Sequence, residues 1–199
     1  MPSRPLWLEL ISLAVVAIGI AVLIKTFLIQ PFYIPSDSMV PTILPNDRVM
    51  VSKLSYRFGE PRRGDLIVFV SPFNDEFDRE TFLESVIRHV VEAVGIRTAS
   101  ADDLIKRIVA VAGDEVMVRE GRLYINGAEV DEPYLLEPGV MPDFGPVVVP
   151  ADSVFVMGDN RAISYDSTRF GAIPEDHILG EAVVRIWPLD RFGAVDVRE

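Results

Sequence analysis

Residues 30–46 read Gln-Pro-Phe-Tyr-Ile-Pro-Ser-Asp-Ser-Met-Val-Pro-Thr-Ile-Leu-Pro-Asn, with prolines at positions 31, 35, 41 and 45. Each proline holds its own φ at about −65° and steers the residue before it away from helix. The stretch therefore predicts an extended, stiff strap that separates the N-terminal residues from the rest of the chain. Ser36 and Ser38 sit in its middle. A hydroxyl on a rigid strap has a settled direction, as a nucleophile requires. A proline-punctuated linker is the plainer account of the same residues.

Before the strap, residues 6–29 form one apolar run of 24 residues, with no charge from Leu10 to Ile24. A helix of that length measures about 36 Å at roughly 1.5 Å per residue, against about 30 Å for the hydrocarbon core of a bilayer. Glu9 and Lys25 stand near its ends, where charged groups reach the interface, and Trp7 suits the interfacial belt. A cleaved secretory signal is the competing reading. No small-x-small site comes after it, since the next residues are Lys-Thr-Phe-Leu-Ile-Gln-Pro. Residues 1–30 are thus expected to be an uncleaved, single-pass anchor. Arg4 before the span and Lys25 at its far end lean only slightly toward an inner amino terminus.

Beyond the strap, residues 31–199 carry a strand pattern. Arg48–Leu54 partly alternates, Pro61-Arg-Arg-Gly64 is a turn, and Asp65–Val70 is a short apolar strand. Leu104–Val111 is another strand, with a lysine inside it. Glu120-Gly121 and Asn126-Gly127 are two-residue hairpin turns. The proline-rich segment 131–146 predicts an irregular loop. Val147–Val149, Val154–Met157 and Glu181–Trp187 complete the strands. Residues 71–103 differ: Phe77, Phe82, Leu83, Val86, Ile87, Val90, Val91 and Val94 recur at helical spacing among charged residues. They predict one amphipathic helix, inserted between two strands. The expected fold is mainly β, an antiparallel sandwich or barrel-like catalytic domain with one N-terminal transmembrane helix and one inserted helix.

Composition narrows the chemistry. Nineteen basic against thirty acidic residues give a net charge of −11, which removes the basic footprint of a nucleic-acid binder. The absence of cysteine removes thiol catalysis, disulfides and thiolate metal sites together. Two histidines, His89 and His177, are too few for a histidine-rich metal site. A serine-histidine triad would have to use one of them, and His89 reads as a solvated residue of the amphipathic helix. Lys106 is more informative, because it lies in an apolar strand. Burial lowers a lysine's pKa and makes the neutral amine a base for a serine hydroxyl. The alternative is an edge-strand lysine that guards against aggregation. A third stretch, Gly158-Asp-Asn-Arg-Ala-Ile-Ser-Tyr-Asp-Ser-Thr-Arg-Phe-Gly171, is dense in hydrogen-bonding groups. Such a loop either satisfies its own backbone or supports a catalytic side chain.

Taken together these stretches resemble the type I signal peptidases, membrane-anchored serine proteases. The resemblance rests on Ser38-Met39-Val40-Pro41-Thr42, on Gly64-Asp65-Leu66-Ile67-Val68-Phe69, on Lys106 through Asp114, and on Gly158-Asp159-Asn160-Arg161 with Ser164 and Asp166-Ser167. All four occur in order behind an anchor. The resemblance implies Ser38 as nucleophile and Lys106 as general base. It implies Ser36 in the oxyanion hole, Ser164 orienting the lysine, and Asp166 in the supporting shell. Phe32, Ile34, Met39, Ile43 and Ile105 fall where the family lines its pockets for small residues at −1 and −3 of a signal peptide. Thr168 stands where many bacterial members carry an arginine, so Asp166 is expected to pair with Arg161 or Arg169 instead. Asp37, often glycine in relatives, is expected to point away from the site. The implied partners are signal-peptide-bearing preproteins and the lipid bilayer, with no nucleic acid, metal or cofactor. The implied location is the bacterial cytoplasmic membrane, with the catalytic domain outside the cytoplasm. A membrane peptidase dedicated to one narrow substrate, or a non-enzymatic membrane-tethered β binding module, would share much of this pattern.

Overall fold

The computed structural model describes residues 6–72, 103–137 and 140–195. The expected helix over 77–94, and most of the expected insertion 71–103, lie outside the described residues.

The chain opens with helix α1, Leu6–Phe27. Trp7, Leu10, Ile11, Leu13, Val15, Val16, Ile18 and Ile20 are each more than half exposed on it. Among the described residues, no helix is long and apolar enough to cross a membrane. The expected anchor is therefore not shown by the structure.

Twelve strands come next among the described residues: β1 Ile29–Tyr33, β2 Arg48–Ser52, β3 Leu66–Val70, β4 Asp103–Val111, β5 Glu115–Arg119, β6 Arg122–Ile125, β7 Ala128–Glu129, β8 Phe144–Val148, β9 Ser153–Met157, β10 Ile173–Pro174, β11 Ile178–Trp187 and β12 Gly193–Ala194. The larger sheet runs β1-β2-β11-β3-β4-β9-β10, with β12 on β11; the smaller runs β7-β6-β5-β8. The β1–β2, β3–β4, β4–β9 and β5–β6 pairings that frame the molecule are all antiparallel. The fold is mainly β, built from curled antiparallel sheets. Both predicted two-residue turns close hairpins. Glu120 and Gly121 have φ of 52° and 74°, Asn126 and Gly127 have 53° and 79°, and both pairs adopt the left-handed backbone that such a turn demands.

Strand β3 explains why a run of Leu-Ile-Val-Phe is needed. It lies between β11 and β4, and Leu66 through Phe69 are all buried. Leu66 and Val68 pack with Phe32, Met39, Ile43 and Ile105. Ile67 and Phe69 pack with Ile108, Val154 and Val156. A third cluster joins Val109 and Ala110 of β4 to Val116, Leu123 and Phe155. Simple alternation puts Lys106, Ile108 and Ala110 on one face, but a register shift between Ile108 and Ala110 breaks it. Ile108 and Ala110 end up in different clusters because the bulge re-aims the strand.

The strap departs from expectation in its second half. Its first residues join β1, at the edge of the sheet, where Pro31 needs no ladder donor. From Asp37 onward the chain turns. Val40 N–H donates to the Asp37 carbonyl at 3.2 Å, Ile43 N–H to the Met39 carbonyl at 3.0 Å, and Asn46 takes φ of 73°. Met39 and Ile43 are fully buried. Their burial draws the chain down into the core, which an extended strap over 37–46 could not do. Prolines forbid helix here but are at home in turns.

Candidate active site

Lys106 comes from the first half of β4 and Ser38 from the turned half of the strap, 68 residues apart in sequence. Lys106 Nζ donates to Ser38 Oγ at 2.8 Å and to the Ile105 carbonyl at 2.9 Å. The lysine is 3% exposed, and burial lowers its pKa from 10.5 to about 8. The negative charges of Asp166 and Asp159 oppose that shift without cancelling it. Ser36 is exposed, with its Oγ 3.4 Å from Ser38 Oγ.

Asn160 grips the strap beneath the serine. Its N–H donates to the Ser38 carbonyl at 3.0 Å and its Nδ2 to the Asp37 carbonyl at 3.2 Å. Gly158 lies so close that a Cβ there would sit 2.6 Å from the Ser38 carbonyl oxygen and 2.3 Å from Ser164 Oγ. That Ser164 hydroxyl is buried with no hydrogen-bond partner among the described residues, so the bond to Lys106 that the resemblance implies is not made here. Asp166 is buried, but neither expected arginine is its partner. It caps the helical turn Ser167–Phe170, accepting from Thr168 N–H at 3.2 Å and Thr168 Oγ1 at 2.8 Å, and it accepts from Gly158 N–H at 3.1 Å. Thr168 thus satisfies the carboxylate with a hydroxyl in place of a guanidinium. Arg161 turns to Glu132 instead, at 2.5 and 2.9 Å.

Sequence reasoning missed the support behind the serine. Arg107 is 1% exposed and forms a two-pronged pair with Asp159 at 2.8 and 2.7 Å. Thr42 Oγ1 donates to the same carboxylate at 2.5 Å, and the Arg107 guanidinium lies 4.0 Å from the Tyr134 ring centroid. A signal was present: an arginine inside an apolar strand needs a buried acid, and Asp159 is the acid of the third stretch.

Phe32, Ile34, Met39, Ile43 and Ile105 gather in one buried cluster. Phe32, Ile34 and Ile105, with Ser36 and Lys106, line a cleft of about 210 Å³ between β1 and β4. A larger hollow of about 450 Å³, lined by Arg63, Leu123 and Tyr134 among others, includes neither Ser38 nor Lys106.

The family described as signal peptidase, peptidase S26, matches residues 7–187. A probable signal peptidase I-2 from Synechocystis sp. is 41% identical over 192 residues, covering 96% of this chain and 78% of that protein. Signal peptidase I of Leptolyngbya laminosa is 42% identical over 189 residues, covering 94% and 81%. A crystal structure of a signal peptidase I from Enterococcus faecalis V583 has a TM-score of 0.44 and 27% identity, covering 61% of this chain and 96% of that one. The chain belongs to the signal peptidase family, peptidase S26, and is an enzyme that removes signal peptides. That membership sets aside the non-enzymatic binding module.

Proposed function

We propose that Ser38 and Lys106 carry out this cleavage, with small residues of the substrate at −1 and −3. The observation that carries the reading is the 2.8 Å approach of a buried amine, its pKa lowered to about 8, to a strap serine. When the amine is neutral, the Ser38 O–H donates to Nζ, and the oxygen attacks the scissile carbonyl. The Ser38 N–H and Ser36 hydroxyl then stabilise the oxyanion. Lys106 delivers the proton to the leaving amine, and water hydrolyses the acyl-enzyme with the lysine again as base.

The substrate enters as a strand. β1 is the end strand of its sheet, and β4 pairs with β9 only from Arg107 onward. Both walls of the cleft thus offer edges that no further strand covers among the described residues, which suits addition of an extended peptide. Apolar Phe32, Ile34 and Ile105 accept small −1 and −3 side chains.

The enzyme works as a single-pass protein of the bacterial cytoplasmic membrane, with its β domain outside the cytoplasm. Support comes from the 24-residue apolar run and from an α1 that presents apolar residues on all sides to its surroundings. β1 begins two residues after α1 ends, so the cleft stays close to the bilayer.

The test uses full-length protein in detergent and a peptide with alanine at −1 and −3. Ser38→Ala and Lys106→Met each abolish turnover, while His89→Ala and His177→Ala retain it. An active Lys106→Met protein would sink the dyad.

A further inference from the structure

We propose that the hollow beside the Asn160 loop is the subsite for the mature side of the substrate, taking a compact apolar side chain two residues after the scissile bond and rejecting an acidic one. This inference rests on the reading of Ser38 as nucleophile. The hollow measures about 230 Å³ and is lined by Leu136, Glu137, Val140, Asn160, Arg161 and Ala162 among others. Asn160 joins it to the reaction centre through its bonds to the Ser38 and Asp37 carbonyls, at 3.0 and 3.2 Å. The cleft between β1 and β4 meets the strap only as far as Ser36. The first recess touches the strap directly, and the second reaches it through Asn160, so a strand that lies in the first and passes Ser38 Oγ is placed to run on toward the second.

Alternation selects the residue that can face it. Extended chains rise about 3.3 Å per residue, with alternate side chains on one face. Positions −3, −1 and +2 therefore point the same way, and +2 lies about 7 Å beyond −1. The chemistry of the lining selects what fits. Asp159 and Arg161 are buried, and their charges are already taken by Arg107 and Glu132. They form a neutralised floor. Leu136 and Val140 are 59% and 41% exposed. Single exposed apolar residues carry no message, but here two share one recess that continues the reaction centre. Glu137, which lines the recess, is exposed. Its carboxylate belongs to a chain of net charge −11, and it disfavours a further acid beside it.

The test compares peptides identical through −1 that carry Val, Ser or Asp at +2. Val exceeds Ser in kcat/KM by about tenfold, the scale of a few methylenes in a pocket, and Asp is poorest. In Leu136→Ser/Val140→Ser the Val-to-Ser ratio collapses to about one, while the discrimination between Ala and Asp at −3 keeps its wild-type ratio. Glu137→Gln narrows the Asp penalty alone. Binding of the same peptides to Ser38→Ala protein, read by fluorescence anisotropy, repeats the +2 ranking without chemistry. Equal binding and equal cleavage of the three peptides by wild type overturns the subsite, as does a double variant that keeps the full Val-to-Ser ratio. If Ser38→Ala still cleaves while the +2 ranking holds, the nucleophile assignment fails and the subsite stands.

Discussion

Lys106 holds an amine where water scarcely reaches, and that fact has two opposite consequences. Only the neutral amine is a base, so the rate rises with pH through about 8 and levels above it. A pH–rate profile of kcat/KM checks this, and a flat profile between pH 6 and 9 contradicts it. Stability follows the same proton. The unfolded lysine keeps its proton up to 10.5 and the folded one only to about 8. Between these values the unfolded state binds more protons, so stability rises with pH there, and below about 8 the whole penalty is present. At about 1.4 kcal/mol per pH unit the penalty is about 3 kcal/mol. Lys106→Met keeps the apolar stem and removes the charge. It is therefore expected to unfold at a higher temperature than wild type at pH 7, with the gap closing near pH 10.5. Gly158 is the other residue whose identity is dictated by its neighbours. A methyl group there meets a backbone carbonyl at 2.6 Å, which cannot swing aside as a side chain can. Gly158→Ala displaces the strap beneath Ser38 and should lower kcat/KM by about 100-fold, the cost of misplacing a reacting group by about 1 Å.

Among the elements, β4 and the Gly158–Ser167 loop depend on each other. The Arg107–Asp159 pair is closed to solvent, with side-chain exposures of 2% and 0%. Removing one partner leaves a buried charge alone, so Asp159→Asn should cost about 3–5 kcal/mol of stability. Replacing both, as in Arg107→Met/Asp159→Leu, should recover much of that loss. Denaturant unfolding of the three proteins checks this, and a double variant less stable than the single one goes against it. Most strands are legible in the sequence because their pattern is local: β3 is a bounded apolar run, and β5 and β6 flank a two-residue turn. The turned half of the strap is not. Its prolines exclude helix but leave extended chain and serial turns equally open. The choice falls to Met39 and Ile43, whose burial depends on β2, β3 and β11.

For the whole molecule, charge and apolar surface point in different directions. At −11 the protein is repelled by anionic lipid headgroups, so surface electrostatics cannot hold it to a bilayer. If α1 spans the membrane, the full chain stays in the membrane fraction through washes in high salt and in alkaline carbonate. Release by salt alone would contradict an inserted anchor.

The candidates for the site can be read in the order of residues. A lysine in an apolar run, serines on a proline-stiffened stretch and a Gly-Asp-Asn-Arg loop name their own candidates, because burial and backbone stiffness follow from near neighbours. Partnership cannot be read this way. Thr168 in place of arginine leaves Asp166 open to Arg161 or Arg169, and the structure gives it neither: Arg161 is claimed by Glu132, 29 residues away. Arg107 likewise finds Asp159 across 52 residues. Which charge meets which is decided by sheet order and by the paths of the loops. Desolvation makes a buried group either take a partner, as Arg107 does, or hold its charge less firmly, as Lys106 does, but only the tertiary structure determines which partner is within reach.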